Sequence, residues 1–229
     1  MTPHSLFSEN MKLADLIHAD YKLLFVFPRF GISFGLGEHT VRQTCERKQI
    51  SLPLFLLVCN VYACKEYRPG KHALDDIPLE DLIRYLRNSH VDYLQKRIPR
   101  LSADILAAIP DPHKKMFGKF CEKYTTEVAA HLEYEEKVVF PYITSILRGN
   151  RSGNYRIETF EDNHSDIEES LTDLKNILIK YLPEGTASEE IRKILFDIFF
   201  LEDDLNKHTL LENTIMVSLV ERIERSIEQ

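Results

Sequence analysis

The chain has 229 residues, of which 44% are apolar and 28% charged, so it can bury a sizeable core and is not predicted to be disordered. Its net charge of −7 argues against a general nucleic-acid-binding role, and its 8 glycines and 10 prolines are few for a fold of many short strands. The longest apolar stretch, residues 52–64, spans about 13 residues and is too short to cross a bilayer.

The first 76 residues contain short helical patterns interrupted by glycine and proline. These patterns cover residues 11–26, 40–48 and 52–66. Residues 65–76, which include a Pro-Gly pair, have the composition of a linker. We therefore predict a small helical N-terminal domain, with its linker, over residues 1–76.

Four long amphipathic helices are predicted from residue 77 onward, because apolar residues recur there at three- and four-residue spacing. Their ranges are 78–109, 113–148, 155–182 and 188–226. Short connections between long helices favour an up-down-up-down four-helix bundle, so the predicted fold is all-α with this bundle over residues 77–229. Pro99 is expected to kink or split the first helix. An apolar stripe in the fourth helix is predicted to be core: Phe196, Ile198, Phe199, Phe200, Leu201 and Leu205.

The cysteines and the start of the chain favour a cytoplasmic protein. The four cysteines form neither a CxxC pair nor a zinc-finger spacing, and free thiols in a reducing compartment are the simplest interpretation. The first residues carry neither a basic start nor an apolar run, so we expect no export signal. These cysteines are Cys45, Cys59, Cys64 and Cys121.

Each predicted long helix carries one histidine that a bundle interior could use. These are His90, His131, His164 and His208. Glu135 and Glu212 follow two of them by four residues, which places an imidazole and a carboxylate on the same helical face. A nitrogen donor beside an anionic oxygen donor is what one helix can offer a metal ion. Counting residues from the shared loops places His90 and His131 at the same depth, whereas the match between His131 and His164 is poorer.

The number of donors favours two metal ions over one. If both glutamates bridge, each ion receives two imidazole nitrogens and two carboxylate oxygens. An oxo or hydroxo bridge then leaves one position on each ion open for O₂, NO or peroxide. Mixed donors inside a helical bundle favour iron, with manganese or zinc as alternatives. The residues alone leave another interpretation open, in which these are surface histidines and solvated His–Glu neighbours worth about 0.3 kcal/mol each.

Four segments resemble the motifs of hemerythrin-like cation-binding domains. They read NSH at residues 88–90, HLEYEEKVVFP at 131–141, EDNH at 161–164 and HTLLEN at 208–213. Together they cover about 78–226, and the most similar branch is that of bacterial di-iron proteins that repair iron centres under nitrosative and oxidative stress. The resemblance implies six iron ligands: His90, His131, Glu135, His164, His208 and Glu212.

Two positions depart from those families. The front domain resembles the small N-terminal domain of the repair proteins, which carries two adjacent cysteines where this chain has Phe34 and Gly35. Thiol chemistry assigned to that pair cannot operate here. Glu168 follows His164 by four residues, where oxygen-carrying hemerythrins place a histidine. It is therefore an additional candidate ligand.

Three functions are consistent with these features. The leading hypothesis is a cytoplasmic non-haem di-iron protein that binds NO, O₂ or peroxide and repairs iron–sulfur centres during nitrosative or oxidative stress. The second is a gas or iron sensor, or a carrier, that signals through the N-terminal domain to a protein partner or within a homodimer. The third is a metal-free helical interaction module. No catalytic residue is assigned, and neither nucleic acid nor membrane is an expected partner.

Overall fold

Helices make up nearly all of the regular structure. The computed structural model describes residues 6–64, 67, 69–150, 155–162, 167–182, 186 and 188–227, and these ranges contain no strand. The all-α prediction is therefore confirmed.

Four short helices lie within described residues 6–64. They are α1 Leu13–Ala19, α2 Leu23–Arg29, α3 Val41–Lys48 and α4 Leu52–Ala63. The single helix predicted over 11–26 is wrong, because a turn after α1 divides it and the Asp20 carboxylate accepts a hydrogen bond from the Lys22 amide at 2.9 Å. A capping box starts α3: the Thr40 hydroxyl accepts from the Gln43 amide at 3.2 Å, and the Gln43 side chain accepts from the Thr40 amide at 3.1 Å.

Eight further helices follow in the part of the chain that the structure describes. They are α5 Leu79–Asp92, α6 Ile98–Ala108, α7 Asp111–Tyr134, α8 Phe140–Leu147, α9 Glu158–Asp162, α10 Ile167–Lys180, α11 Ser188–Leu211 and α12 Val217–Ile227. A short 3₁₀ helix, Lys71–Leu74, lies in the predicted linker. The long helix predicted over 155–182 appears as α9 and α10, and residues 163–166 between them lie outside the described part of the chain.

Three π-helical turns join successive α-helices in the described residues. They are Tyr93–Arg97, Glu135–Val139 and Glu212–Met216. The residue after each turn donates its amide to the carbonyl five positions back, as in the Ile98 to Tyr93 bond. Pro99 and Pro141 each follow a π turn by two positions, where proline lacks the amide of a regular helical bond. The predicted interruption near Pro99 is thus a wide turn within a continuing helix.

The chain packs as two compact units, residues 90–206 and residues 1–89 with 207–229. The predicted domain boundary near residue 76 stays a prediction. The first of these units has a core drawn from four helical segments, with Tyr93, Val128, Leu174 and Ile198 as representatives. Such a core is expected of a helical bundle, because each helix buries one apolar stripe.

In the other unit, buried polar side chains tie the front helices together. The Asn60 carboxamide oxygen accepts from the amides of Leu6 and Phe7 at 2.7 and 3.1 Å. The buried Arg29 guanidinium donates to the Tyr62 hydroxyl at 3.0 Å. These bonds satisfy polar groups that would be costly to bury alone.

The stripe predicted as core in the fourth helix is only partly buried. Ile198, Leu201 and Leu205 belong to the core, at the three- and four-residue spacing of one helical face. Phe196 and Phe199 are 57% and 46% exposed, so the prediction is wrong for these two. A helix cannot turn five of six consecutive side chains toward one core, and these two fall on the far side.

Among the described residues, no helix combines the length and the apolar character needed to cross a bilayer.

The thiols are expected to differ sharply in reactivity. Cys45, Cys59 and Cys121 are buried, whereas Cys64 is half-buried. Burial, reinforced by the nearby Glu46 carboxylate, raises the pKa of the Cys45 thiol to about 12, and burial also raises the pKa of Cys59 and Cys121. We expect a disulfide reagent at pH 8 to label Cys64 rapidly and the other three only after unfolding.

A C64A variant is the control and should show no rapidly reacting thiol, whereas rapid labelling of two or more thiols in the folded protein would contradict the prediction.

Because the Cys45 pKa is about 9 when unperturbed, the contribution of the protonated Cys45 thiol to the stability of the fold is fully present below pH 9. That contribution is lost as the pH rises toward 12.

Candidate metal centre

His90, in the last turn of α5, places both ring nitrogens against carboxylates. The side chain is buried, and its Nε2 atom lies 3.0 Å from Oε2 of Glu135. Its Nδ1 atom lies 3.0 Å from Oε1 of Glu136. The ring stacks on Phe140, with centroids 5.5 Å apart and planes inclined by 14°. The carboxylates of Glu135 and Glu136 thus each face one nitrogen of the imidazole.

His131 and Glu135 stand four residues apart at the junction of α7 with its π turn. The Nε2 atom of His131 lies 2.7 Å from Oε1 of Glu135. Helical geometry puts residues at this spacing on one face, so the local fold alone brings the pair together. The glutamate is the first residue of the π turn, and its side chain is fully buried.

Glu135 has the surroundings of a bridging ligand. Each of its oxygens faces one imidazole nitrogen, yet neither oxygen forms a hydrogen bond of acceptable geometry within the described part of the chain. Two donor atoms about 2.1 Å from one metal ion, and at right angles around it, lie about 3.0 Å apart. The observed separations of 3.0 and 2.7 Å are close to that value. The residues therefore fit metal ions held on both sides of one carboxylate.

The electrostatics of this cluster keep Glu135 anionic. Burial alone raises the pKa of its carboxyl. The contacts with His131 and His90 lower the pKa by more than burial raises it, so it falls well below its usual range. Burial lowers the pKa of His90, and Glu135 and Glu136 together raise it above its usual value. A buried carboxylate that stays charged near neutral pH is a ready ligand for a hard cation.

His208 and Glu212 form a second pair of the same kind. The Nε2 atom of His208 lies 2.8 Å from Oε1 of Glu212, and both side chains are buried. The histidine lies in the last turn of α11, and the glutamate is again the first residue of a π turn. Two His–Glu pairs of equal spacing therefore end in the same local structure.

Four of the predicted ligands have buried side chains: His90, Glu135, His208 and Glu212. His131 contacts Glu135 as described above. His164 lies outside the described residues, and so does the side chain of Glu168 in α10. The structure thus places His90 and His131 against Glu135, and His208 against Glu212, while the assignment of all six residues as metal ligands stays a prediction.

Two features of this region were missed by the sequence analysis. The contact of Glu136 with His90 joins residues 46 positions apart, and the sequence holds no periodic signal for it. An ion pair joins the half-buried Arg97 to the buried Asp204, and the hydroxyl of Tyr93 donates to the Asp204 carbonyl at 3.4 Å. Tyr93 is thus a core residue whose hydroxyl has a protein acceptor.

The sequence around these residues matches a known family. Residues 81–220 match the Hemerythrin HHE cation binding domain. The chain belongs to the hemerythrin HHE family. The matched residues include all six predicted ligands, and the predicted hemerythrin-like bundle is confirmed.

Two curated relatives are similar to this chain along most of their length. An iron-sulfur cluster repair protein, ScdA, from Staphylococcus haemolyticus (strain JCSC1435) is 19% identical over 83% of this chain and 89% of its own. An iron-sulfur cluster repair protein, YtfE, from Cronobacter sakazakii (strain ATCC BAA-894) is 22% identical over 83% of this chain and 87% of its own. Both similarities extend beyond the hemerythrin HHE region.

The hemerythrin HHE assignment and the donor set agree on cation binding. The family is described by its cation-binding domain, and this member holds a buried group of histidines and glutamates inside the matched residues. Imidazole and carboxylate together suit iron, manganese and zinc, so the choice among these ions depends on further properties of the protein.

Proposed function

We propose that this chain is a non-haem di-iron protein that takes part in the repair of iron–sulfur centres. The observation that carries the proposal is the Glu135 carboxylate, which is fully buried with one imidazole nitrogen facing each oxygen. A buried carboxylate is costly unless positive charge offsets it, and a bound cation between these donors would supply that charge. The proposed ligands are His90, His131, Glu135, His164, His208 and Glu212.

The side chains have separate tasks in this proposal. Glu135 and Glu212 would hold both ions and offset their charge, and the histidines would fix where the ions lie. The Phe140 ring covers one face of His90 and keeps water from that ligand. When bound, iron would supply redox-active coordination positions for NO, O₂ or peroxide.

The repair role is supported by the two relatives, both of which are named as iron-sulfur cluster repair proteins. We extend it to nitrosative and oxidative stress in the cytoplasm. The front domain of this chain would act without a thiol pair. Phe34 is 55% exposed, and Gly35 has a φ of 87°, a left-handed conformation that a cysteine would adopt only with strain.

That same loop favours a second candidate function, a di-iron sensor or carrier. A front domain without the thiol pair would transmit the state of the metal centre to a protein partner or a second copy. Limited proteolysis of reduced, oxidised and NO-treated protein tests this candidate. Identical cleavage patterns in all three states would contradict it.

Metal analysis of aerobically purified protein tests the di-iron proposal. We expect about two iron ions per chain and near-ultraviolet absorption that changes on reduction and on addition of NO. The protein reconstituted anaerobically with ferrous iron should reach the same content. Protein that takes up no iron under either condition would overturn the proposal, and full loading with zinc or manganese alone would reassign the metal.

A further inference from the structure

Glu136 contacts a proposed metal ligand although it is not a ligand itself. It follows Glu135 directly, but its Oε1 atom lies 3.0 Å from Nδ1 of His90, on α5. Its side chain is 34% exposed, whereas that of Glu135 is fully buried. Two adjacent carboxylates therefore contact the two nitrogens of the same imidazole. The buried Glu135 contacts Nε2, and the partly exposed Glu136 contacts Nδ1.

An imidazole can bind a metal through only one nitrogen at a time, and that nitrogen must be unprotonated. A carboxylate that accepts the proton of Nδ1 leaves Nε2 free as the donor. A ring rotated by half a turn would direct carbon atoms at both carboxylates and would lose both contacts. The contact with Glu136 therefore selects one orientation and one tautomer.

The two neighbours of His90 restrict different motions. The Phe140 ring, nearly parallel at 14°, fixes the plane of the imidazole but does not distinguish the ring from one flipped by 180° about its Cβ–Cγ bond. The polar contact with Glu136 removes that freedom, because it distinguishes nitrogen from carbon. Together they leave Nε2 directed at Glu135.

We infer that Glu136 is a positioning residue, which orients His90 so that Nε2 serves as the metal ligand. This inference rests on the proposed metal centre. Acceptors of this kind behind ligand histidines typically change metal affinity about 10- to 100-fold when they are removed. Glu136 acts as a hydrogen-bond acceptor in this role. Glutamine also offers a carbonyl oxygen, so it should replace Glu136 in part.

The test compares Glu136→Leu, Glu136→Gln and the control Glu133→Leu. Glu133 lies on the solvent face of α7 and pairs with Lys137, so the control removes a nearby charge without touching His90. Ferrous-iron affinity is measured by anaerobic competition with a chelator. We expect E136L to bind about 10- to 100-fold more weakly, E136Q to stay within about fivefold of wild type, and E133L to be unchanged.

A second measurement reports orientation directly. In protein loaded with Zn²⁺ and labelled with ¹⁵N-histidine, we expect the His90 shifts of wild type and E136Q to show Nε2 bound and Nδ1 protonated. E136L should lose that pattern. Circular dichroism confirms that each variant is folded, and an E136L protein that unfolds is replaced by Glu136→Met.

The outcomes separate this inference from the proposed function. Wild-type protein that binds no metal overturns the proposed function, and the inference falls with it. Wild-type binding with an unimpaired E136L overturns the inference alone. Equal weakening in E136Q and E136L also overturns it, because the negative charge rather than the acceptor would then matter.

Discussion

Replacement of Glu135 by alanine is expected to reduce the metal content from about two ions per chain to one or none. The variant loses a ligand whose two oxygens face His90 and His131 at 3.0 and 2.7 Å. It also loses the buried negative charge that offsets the cations. Because even indirect supports of a metal ligand change affinity about 10- to 100-fold, loss of the bridge should weaken binding by at least the upper value. Metal analysis and chelator competition measure the effect.

Glu133→Ala is the matched control for this prediction. Glu133 lies in the same helix two residues earlier, is exposed and pairs with Lys137. A surface pair four residues apart contributes about 0.3–0.5 kcal/mol, so E133A should keep both ions. An E135A protein that retains two ions per chain would contradict the bridging role.

Replacement of Arg97 by alanine is expected to lower the free energy of unfolding by about 3–5 kcal/mol. Arg97 is 16% exposed and pairs with Asp204, whose side chain is almost completely buried. Removal of the guanidinium leaves a buried carboxylate without that partner, which is far more costly than loss of an exposed pair. The melting temperature should fall by roughly 6–20 °C, measured by calorimetry on metal-free protein so that metal loss does not contribute.

Arg100→Ala serves as the control for Arg97. Its guanidinium lies 3.6 Å from the Asp104 carboxylate, and its side chain is 79% exposed. We expect a change within about 0.5 kcal/mol. Equal melting temperatures for the R97A and R100A variants would show that the buried pair adds nothing to stability.

Helical periodicity predicted the long helices because each buries one apolar stripe, but it could not predict the π turns. In the first long helix, no residue between Tyr93 and Ile98 is buried, a five-residue interval that the three- and four-residue rule does not contain. The same rule assigned Phe196 and Phe199 to the core, since it registers apolar character but not which face of a helix meets a neighbour.

In the candidate site, contacts within one helix could be predicted from the sequence, whereas contacts between helices could not. Spacing of four residues predicted the contacts of His131 with Glu135 and of His208 with Glu212, because a single helix determines them. The contacts of His90 with Glu135 and Glu136 depend on how two helices pack, and nothing local in the sequence encodes that. Counting residues from the shared loop predicted that His90 and His131 lie at the same level of the bundle. It could not predict which atoms of Glu135 and Glu136 contact His90.

The π turns also bear on how such a chain can change during evolution. Each turn adds one residue to a helix without interrupting it, and one residue rotates everything that follows by about 100°. The turn therefore determines which way the apolar face of α6 or α12 is directed, without altering the helix that precedes it. Mutations after a turn can change the apolar face of the downstream helix while the four-residue spacing of histidine and glutamate stays intact. The helical segments before and after a π turn can therefore change separately during evolution.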